Sequence, residues 1–264
     1  MTDFINQLAF GWYPYLAVTV LVVGSILRFD SNQYSWRSQS SQFLRRRQMV
    51  LGSNLFHMGI LVLLMGHFVG LLTPINVFDA IGVSHSFKQT TALVVGGIAG
   101  FFAYIGCTLL LHRRLFDSRI RKSSSVGDIL VLVLLWLQLT LGLLTTWWTL
   151  KHLDGSEMVK FMSWANGMLR LNPAAPEILK DVALVYKLHI ILGLTLFLIT
   201  PFTRLVHIWS APVWFLLRPG YQIVRTRRSK HTAASPTRGP AGGAPSYGGP
   251  TALRQMAESG QEGA

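Results

Sequence analysis

Long uncharged stretches alternate along this chain with short charged segments. Five stretches lack Asp, Glu, Lys and Arg, apart from Lys187 in the last, over roughly the 20 residues that a helix needs to cross a bilayer. They are residues 4–27, 48–78, 89–111, 129–150 and 182–203. Helices satisfy their own backbone hydrogen bonds in lipid, so the pattern predicts an all-α integral membrane bundle of five transmembrane helices.

Composition agrees with a membrane protein and argues against a soluble globule. Half of the residues are hydrophobic, 13% are charged and the mean hydropathy is +0.39. The first stretch has no basic segment before it and no small-residue cleavage site ahead of Arg28, so we expect a mature helix and not a signal peptide. The single cysteine, Cys107, permits no intramolecular disulfide.

The net charge of +13 would suit a nucleic-acid-binding protein, but its distribution favours a membrane. Basic clusters follow the first, third and fifth stretches, whereas the intervening segments are nearly neutral. The clusters are Arg28, Arg37, Arg45, Arg46 and Arg47; Arg113, Arg114, Arg119, Arg121 and Lys122; and Arg218, Arg225, Arg227, Arg228 and Lys230. By the positive-inside rule, the N-terminus lies outside and the C-terminus is cytoplasmic.

Two segments outside the spans have their own character. From residue 229 to 264 the chain is rich in Gly, Pro, Ala and Ser, which predicts a disordered cytoplasmic tail after a membrane domain at 1–228.

The long outer loop contains SEMVKFMSWANGMLRL, whose apolar residues recur at helical spacing. These are Met158, Phe161, Met162, Ala165, Met168 and Leu169. We expect an amphipathic helix that either anchors the loop at the interface or covers a site as a lid.

Four histidines occur on only two of the predicted helices, two on the second and two on the fifth: His57, His67, His189 and His207. An unpaired ionisable side chain is costly in lipid, so four of them indicate function. If the two helices are antiparallel neighbours, His67 faces His189 near the outside and His57 faces His207 near the cytoplasm. At about 1.5 Å per residue, His57 and His67 lie about 15 Å apart along their helix, and His189 and His207 about 27 Å apart along theirs. A kink at Pro201 would reduce this mismatch.

The type of ligand favours haem over a bare metal ion. Zinc and copper sites usually take three or four protein ligands, often with Cys or carboxylate, whereas two axial histidines suffice for haem iron. The haem-attachment pattern CxxCH is absent, so we expect two non-covalent b-type haems.

Small and basic residues near the histidines offer further candidates for haem contacts. The glycines Gly59, Gly66 and Gly193 would let a flat ring approach the backbone, although helix packing explains small residues equally well. Arginines at the cytoplasmic boundary are candidates for binding haem propionates, with positive-inside asymmetry as the alternative explanation. They are Arg113, Arg114 and Arg204.

Several motifs resemble one known family. They are YPY near the start, LRFDSNQYSWRSQSSQ, SNLFHMGIL with GHFVGLLTP, RRLFDSRIR, GLLT, HLDGSEM and RLVHIWSAPV, in order over residues 10–228. In this respect the chain resembles the gamma, cytochrome b subunit of membrane-bound respiratory nitrate reductase. The resemblance implies five helices that hold two b haems through His57 and His207 on the cytoplasmic side, and through His67 and His189 on the outer side.

The resemblance also implies a role in anaerobic nitrate respiration at the bacterial inner membrane. The family oxidises menaquinol or ubiquinol near the outer face, and the FKQ motif assigns the quinol-site lysine to Lys88. A lysine that only snorkels to the interface is the alternative. Electrons would pass through the haems to an iron–sulfur beta subunit and on to a molybdenum-containing alpha subunit.

Two other functions remain open from the residues. A related dihaem cytochrome could feed a sulfite- or disulfide-reducing complex, because nothing in this chain touches the terminal substrate. A haem-free transporter could use histidines as a proton relay, but the absence of Asp and Glu inside the spans disfavours it.

Overall fold

A computed structural model of the protein describes residues 3–32, 44–151 and 154–210. Within these ranges the chain forms helices and no strand. The α-helices are α1 (Asp3–Gln7), α2 (Tyr13–Ser31), α3 (Arg46–Leu72), α4 (Ile75–Ala80), α5 (His85–Phe116), α6 (Ser118–Lys122), α7 (Val126–Thr149), α8 (Ser156–Leu169) and α9 (Leu184–Ile199). The predicted tail at 229–264, and with it the domain boundary, lies outside the described residues.

Five helical segments in the described part of the chain are long and apolar enough to cross a membrane. They are Asp3–Ser31, Arg46–Leu72, His85–Phe116, Val126–Thr149 and Leu184–Phe202. The all-α fold and the five spans predicted from the sequence are therefore confirmed. The direction in which the spans cross the membrane stays a prediction.

The second uncharged stretch, 48–78, was expected as one span but forms two helices. α3 ends at Leu72, and Pro74 precedes the separate helix α4. Proline restricts the residue before it to extended backbone, and Thr73 has φ −71° and ψ 125°. The span therefore stops six residues earlier than the absence of charge indicated, and α4 lies outside it.

Glycines bring α3 and α5 into close contact. A Cβ at Gly59 would overlap the carbonyl oxygen of Ala99, and a Cβ at Gly106 would overlap the backbone nitrogen of Phe56. Such small residues let helix backbones approach closely in membranes. Gly59 therefore serves helix packing, which is one of the two roles considered for it, and it faces α5 instead of an open surface.

Helix α8 confirms the amphipathic helix predicted for the long loop. Its apolar face packs on one end of the bundle, where Met162, Trp164, Ala165 and Met168 are buried, while Leu169 faces outward. The Asn166 amide donates to the carbonyl of Leu71 at the end of α3 (3.0 Å). α8 is therefore packed on the bundle, and its role as a lid over a site stays a prediction.

The two ends of the bundle carry different basic residues. α5 runs from Lys88 near one end to Arg113 and Arg114 near the other. We call these the lysine end, which α8 covers, and the arginine end. His57, His67 and His189 lie within helices that could cross the membrane, and His207 follows the fifth span, which ends at Phe202.

Candidate functional site

The structure brings the histidines together in two pairs. The rings of His67 and His189 have centroids 6.2 Å apart and an interplanar angle of 40°. The rings of His57 and His207 have centroids 6.3 Å apart and an angle of 63°. These are the pairs expected from antiparallel neighbours. Within α3, His67 lies toward the lysine end and His57 toward the arginine end.

His207 reaches its partner because the chain leaves α-helical geometry before it. α9 ends at Ile199 and is followed by two short 3₁₀ segments, Thr200–Phe202 and Arg204–Ser210. Between them Thr203 is extended, with φ −122° and ψ −179°. Pro201 lies in this break because its ring cannot continue an α-helix. The sequence placed His207 on the same helix as His189, which is wrong, and the break explains how unequal spacings still pair.

Helix α2 holds this broken segment in place. Nη1 of Arg28 donates to the carbonyls of Pro201 (2.6 Å) and Thr203 (2.8 Å). Nε1 of Trp209 donates to Oγ of Ser25 (3.2 Å). Breaking a helix releases carbonyl groups that need donors, and the guanidinium supplies them. The position of His207 thus depends on a residue far away in the sequence.

Three of the four imidazoles are oriented by backbone carbonyls. Nδ1 of His57 bonds the carbonyl of Ser53 (2.8 Å), Nδ1 of His67 that of Leu63 (2.7 Å), and Nδ1 of His207 that of Arg204 (2.5 Å). A carbonyl oxygen can only accept, so Nδ1 carries the proton and Nε2 keeps its lone pair. Metal-binding histidines commonly have this arrangement.

The donor set of each pair fits haem iron. A histidine–metal bond is about 2.0 Å long, so two imidazoles that bound one metal ion from opposite directions would have ring centroids roughly 6 Å apart. Both pairs have this spacing. Within the described residues no group of three or more His, Cys, Asp or Glu side chains gathers as a metal site. Two imidazoles alone do not complete a zinc site but are sufficient where a porphyrin supplies the other ligands. Their role as haem ligands stays a prediction.

His189 has a different environment from the other three. It packs against α7, where Nε2 of Gln138 lies 3.1 Å from the His189 carbonyl and 3.4 Å from its Nε2. A Cβ at Gly142, one turn further along α7, would lie 3.2 Å from Cε1 of His189. Sequence reasoning passed over Gln138, although a glutamine inside an uncharged span is a signal of a buried polar contact.

The other two candidate glycines differ in their surroundings. An added Cβ at Gly193 would lie 3.1 Å from Nε2 of Gln138, so this glycine makes room for the glutamine. At Gly66 an added Cβ would meet no atom of the described chain within 4 Å. Of the three glycines, Gly66 alone keeps the open surface that a flat ring would need.

The candidate propionate ligands are engaged with the protein itself. Asp128 pairs with Nη1 of Arg114 (3.3 Å) and Nε of Arg204 (3.1 Å), and Nη2 of Arg113 donates to the carbonyl of Leu44 (2.5 Å). Burial lowers the pKa of Arg204 from its usual value, and the Asp128 carboxylate acts in the opposite direction. Two guanidinium groups share one carboxylate, so this cluster keeps a net positive charge. Propionate binding stays a prediction.

Lys88 lies under α8 at the lysine end. Its Nζ donates to the carbonyl of Gly70 (3.1 Å) and to Sδ of Met162 (2.6 Å), and it lies 3.7 Å from the centroid of the Phe78 ring. Gly70 follows His67 by less than one helical turn. The ammonium therefore contacts the end of α3 that carries His67, whereas a snorkelling lysine would point out to water. Its role at a quinol site stays a prediction.

Comparison with known proteins identifies close relatives. The family model described as nitrate reductase gamma subunit matches residues 6–227. The respiratory nitrate reductase 1 gamma chain of Escherichia coli strain K12 is 48% identical over 85% of this chain and 99% of its own length. The respiratory nitrate reductase 2 gamma chain of the same strain is 45% identical over 86% and 100%. The nitrate reductase gamma chain of Bacillus subtilis strain 168 is 35% identical over 84% and 99%.

Proposed function

Because this chain belongs to the nitrate reductase gamma-subunit family, we propose that it is the membrane subunit of a respiratory nitrate reductase, which oxidises quinol and delivers the electrons to an iron–sulfur partner subunit. The observation that carries the proposal is the pairing of four histidines into two stacked sites, 6.2 and 6.3 Å between ring centroids. One site lies nearer each end of the bundle.

Each histidine pair is proposed to hold one b-type haem. His67 and His189 hold the haem of the lysine end, and His57 and His207 that of the arginine end. The haems, when bound, supply one-electron carriers between quinol and the iron–sulfur partner. The protein fixes the ligand orientation through the Nδ1 contacts to Ser53, Leu63 and Arg204 in three of the four cases.

Quinol is proposed to bind at the lysine end beneath α8. Lys88 is a charged donor beside the turn that follows His67, and its ammonium would hydrogen-bond a quinol oxygen. The buried side chain of Met162 on α8 lies against the Lys88 ammonium and adds an apolar surface that suits the ring and tail of a membrane quinol. Oxidation of one quinol to quinone releases two electrons and two protons.

The predicted orientation of the spans would give this reaction a direction. With the lysine end outside, the protons leave on the outer face of the bacterial inner membrane, and the electrons travel inward. Turnover therefore charges the membrane. The arginine end would face the cytoplasm, where basic residues such as Arg119 and Arg121 are available to an iron–sulfur beta subunit, which in turn contacts the molybdenum-containing alpha subunit.

The test is a spectrum and an activity of the whole complex purified from membranes. We expect absorption bands at about 560 nm after dithionite reduction, typical of bis-histidine b haem. We also expect the complex to reduce nitrate with menaquinol or ubiquinol as the electron donor. Replacing His112, which is exposed and contacts Phe116, serves as the histidine control and should leave both haems bound. A purified complex without b-type bands would overturn the proposal.

A further inference from the structure

One of the four imidazoles lacks the backbone contact that orients the other three. Nδ1 of His57, His67 and His207 each bonds a carbonyl of the preceding turn. Nδ1 of His189 is buried and has no hydrogen-bond partner among the described residues. If Nε2 keeps its lone pair, as an imidazole that binds iron must, Nδ1 carries the proton. A buried N–H without an acceptor is costly, so this nitrogen then needs one.

An acceptor in the same condition lies on the neighbouring helix. Oε1 of Gln138 is also buried without a partner within the described part of the chain. The other end of this carboxamide is anchored, because its Nε2 donates to the His189 carbonyl (3.1 Å) and lies 3.4 Å from the His189 ring. An unmatched donor and an unmatched acceptor therefore belong to two side chains already in contact.

Two glycines leave room for this contact. A Cβ at Gly142 would press on Cε1 of His189 at 3.2 Å, and a Cβ at Gly193 would press on Nε2 of Gln138 at 3.1 Å. The imidazole and the carboxamide thus lie in a notch between α7 and α9 that larger residues would close. The last torsion of each side chain has a broad energy well, so the two groups can turn toward each other without moving the backbone.

We propose that Gln138 is a positioning residue for the haem site of the lysine end, where its Oε1 accepts the Nδ1 proton of His189. The inference rests on the proposed function, since it concerns the ligand of a haem. A hydrogen bond to Nδ1 fixes the tautomer and makes the imidazole a more basic ligand. A more basic ligand stabilises oxidised iron, so the contact lowers the reduction potential of this haem and leaves that of the His57–His207 site unchanged.

The experiment is a redox titration of the full complex, followed by absorbance and by electron paramagnetic resonance. The lysine-end haem is the signal that a His67 replacement removes. Gln138→Leu removes the acceptor, so we expect both haems bound, a higher potential for the lysine-end haem and a changed resonance of that haem alone. Gln138→Glu supplies a stronger acceptor and should lower that potential. Thr140→Val is the control on the same helix, because its hydroxyl bonds the Trp136 carbonyl of its own helix.

The outcomes separate this inference from the proposed function. Wild-type complex without two b-type haems overturns both. Two haems in the wild type, with a lysine-end potential that is the same in Gln138→Leu, overturn the positioning role alone. A shift of both haems together would also overturn it, since that indicates general distortion. If Gln138→Leu loses the lysine-end haem, its return in Gln138→Glu supports the role, and its continued loss refutes it.

Discussion

His57 and His207 face each other with ring centroids 6.3 Å apart, although His57 lies on a regular helix and His207 lies on a 3₁₀ segment beyond a proline break. Each ring donates from Nδ1 to a backbone carbonyl, so both present Nε2 as the free nitrogen. The two imidazoles therefore form one site, although they belong to different segments of the chain. Loss of either one should have the same consequence.

We expect His57→Leu and His207→Leu each to remove the haem of the arginine end and to leave that of the lysine end bound. A leucine offers no lone pair, and one imidazole holds haem more weakly than two. The measurement is the haem-to-protein ratio of the purified complex, which should fall from two to one. Equal loss of both haems in either variant would contradict the assignment of separate pairs.

Arg28 should control the same site from a distance. Its guanidinium bonds the carbonyls of Pro201 and Thr203 at 2.6 and 2.8 Å, and hydrogen bonds to charged groups contribute about 1.5–3 kcal/mol each. We expect Arg28→Gln to weaken haem retention at the His57–His207 site during detergent purification and to spare the other site. Arg47→Gln is the matched control, because Arg47 is exposed. Unaltered haem content in Arg28→Gln would show that the segment after α9 keeps its conformation without the hydrogen bonds from Arg28.

Glycine packing between α3 and α5 gives a stability test with an internal control. A Cβ at Gly106 would overlap the backbone of Phe56, whereas a Cβ at Gly96 on the same helix would meet no atom of the described chain within 4 Å. Overpacking typically costs about 1–3 kcal/mol, and backbone atoms cannot move aside as a side chain can. We expect Gly106→Val to lower the thermal unfolding temperature strongly and Gly96→Val to change it little. Similar unfolding temperatures for both variants would refute the close crossing.

Features that arise from local sequence patterns could be predicted, whereas contacts between residues far apart in the sequence could not. The spans and histidine pairs follow from local patterns, because charge-free length predicts a membrane helix and antiparallel neighbours bring matching depths together. The end of α3 at Leu72 was missed because a span defined by missing charges ignores the backbone restriction of Pro74. The contacts of Gln138 and Arg28 were missed because they join residues distant in sequence, and only packing shows them.

Asp128 should be the residue on which charge balance at the arginine end depends. Its carboxylate pairs with both Arg114 and Arg204, and all three side chains are at most 16% exposed. Removing one partner of a buried ion pair costs about 3–5 kcal/mol, and this cluster is not fully buried, so we take that as the upper limit for Asp128→Asn. Asp128 also takes part in the capping box of α7 with Ser125.

Ser125→Ala isolates the capping contribution of that cluster, since losing a cap costs about 1 kcal/mol. We therefore expect Asp128→Asn to lower the unfolding temperature of the purified complex more than Ser125→Ala does. If the two variants unfold at the same temperature, capping accounts for the role of Asp128 and the arginine pairing contributes little.

A replacement of Lys88 tests the proposed quinol site separately from the proposed haem sites. Lys88→Met removes the charged donor, and losing a charged hydrogen bond of about 1.5–3 kcal/mol corresponds to a roughly tenfold to hundredfold lower kcat/KM for quinol. Both haems should remain bound and reducible by dithionite, because the ammonium bonds the Gly70 carbonyl and Met162 Sδ and lies over the Phe78 ring, none of which belongs to a paired histidine. Nitrate reduction with a dye that donates directly to the partner subunits should be unchanged. The control is Lys160→Met on α8, whose ammonium pairs with Glu157 (3.0 Å). Full quinol activity in Lys88→Met would remove Lys88 from the quinol site and leave the histidine pairs unaffected.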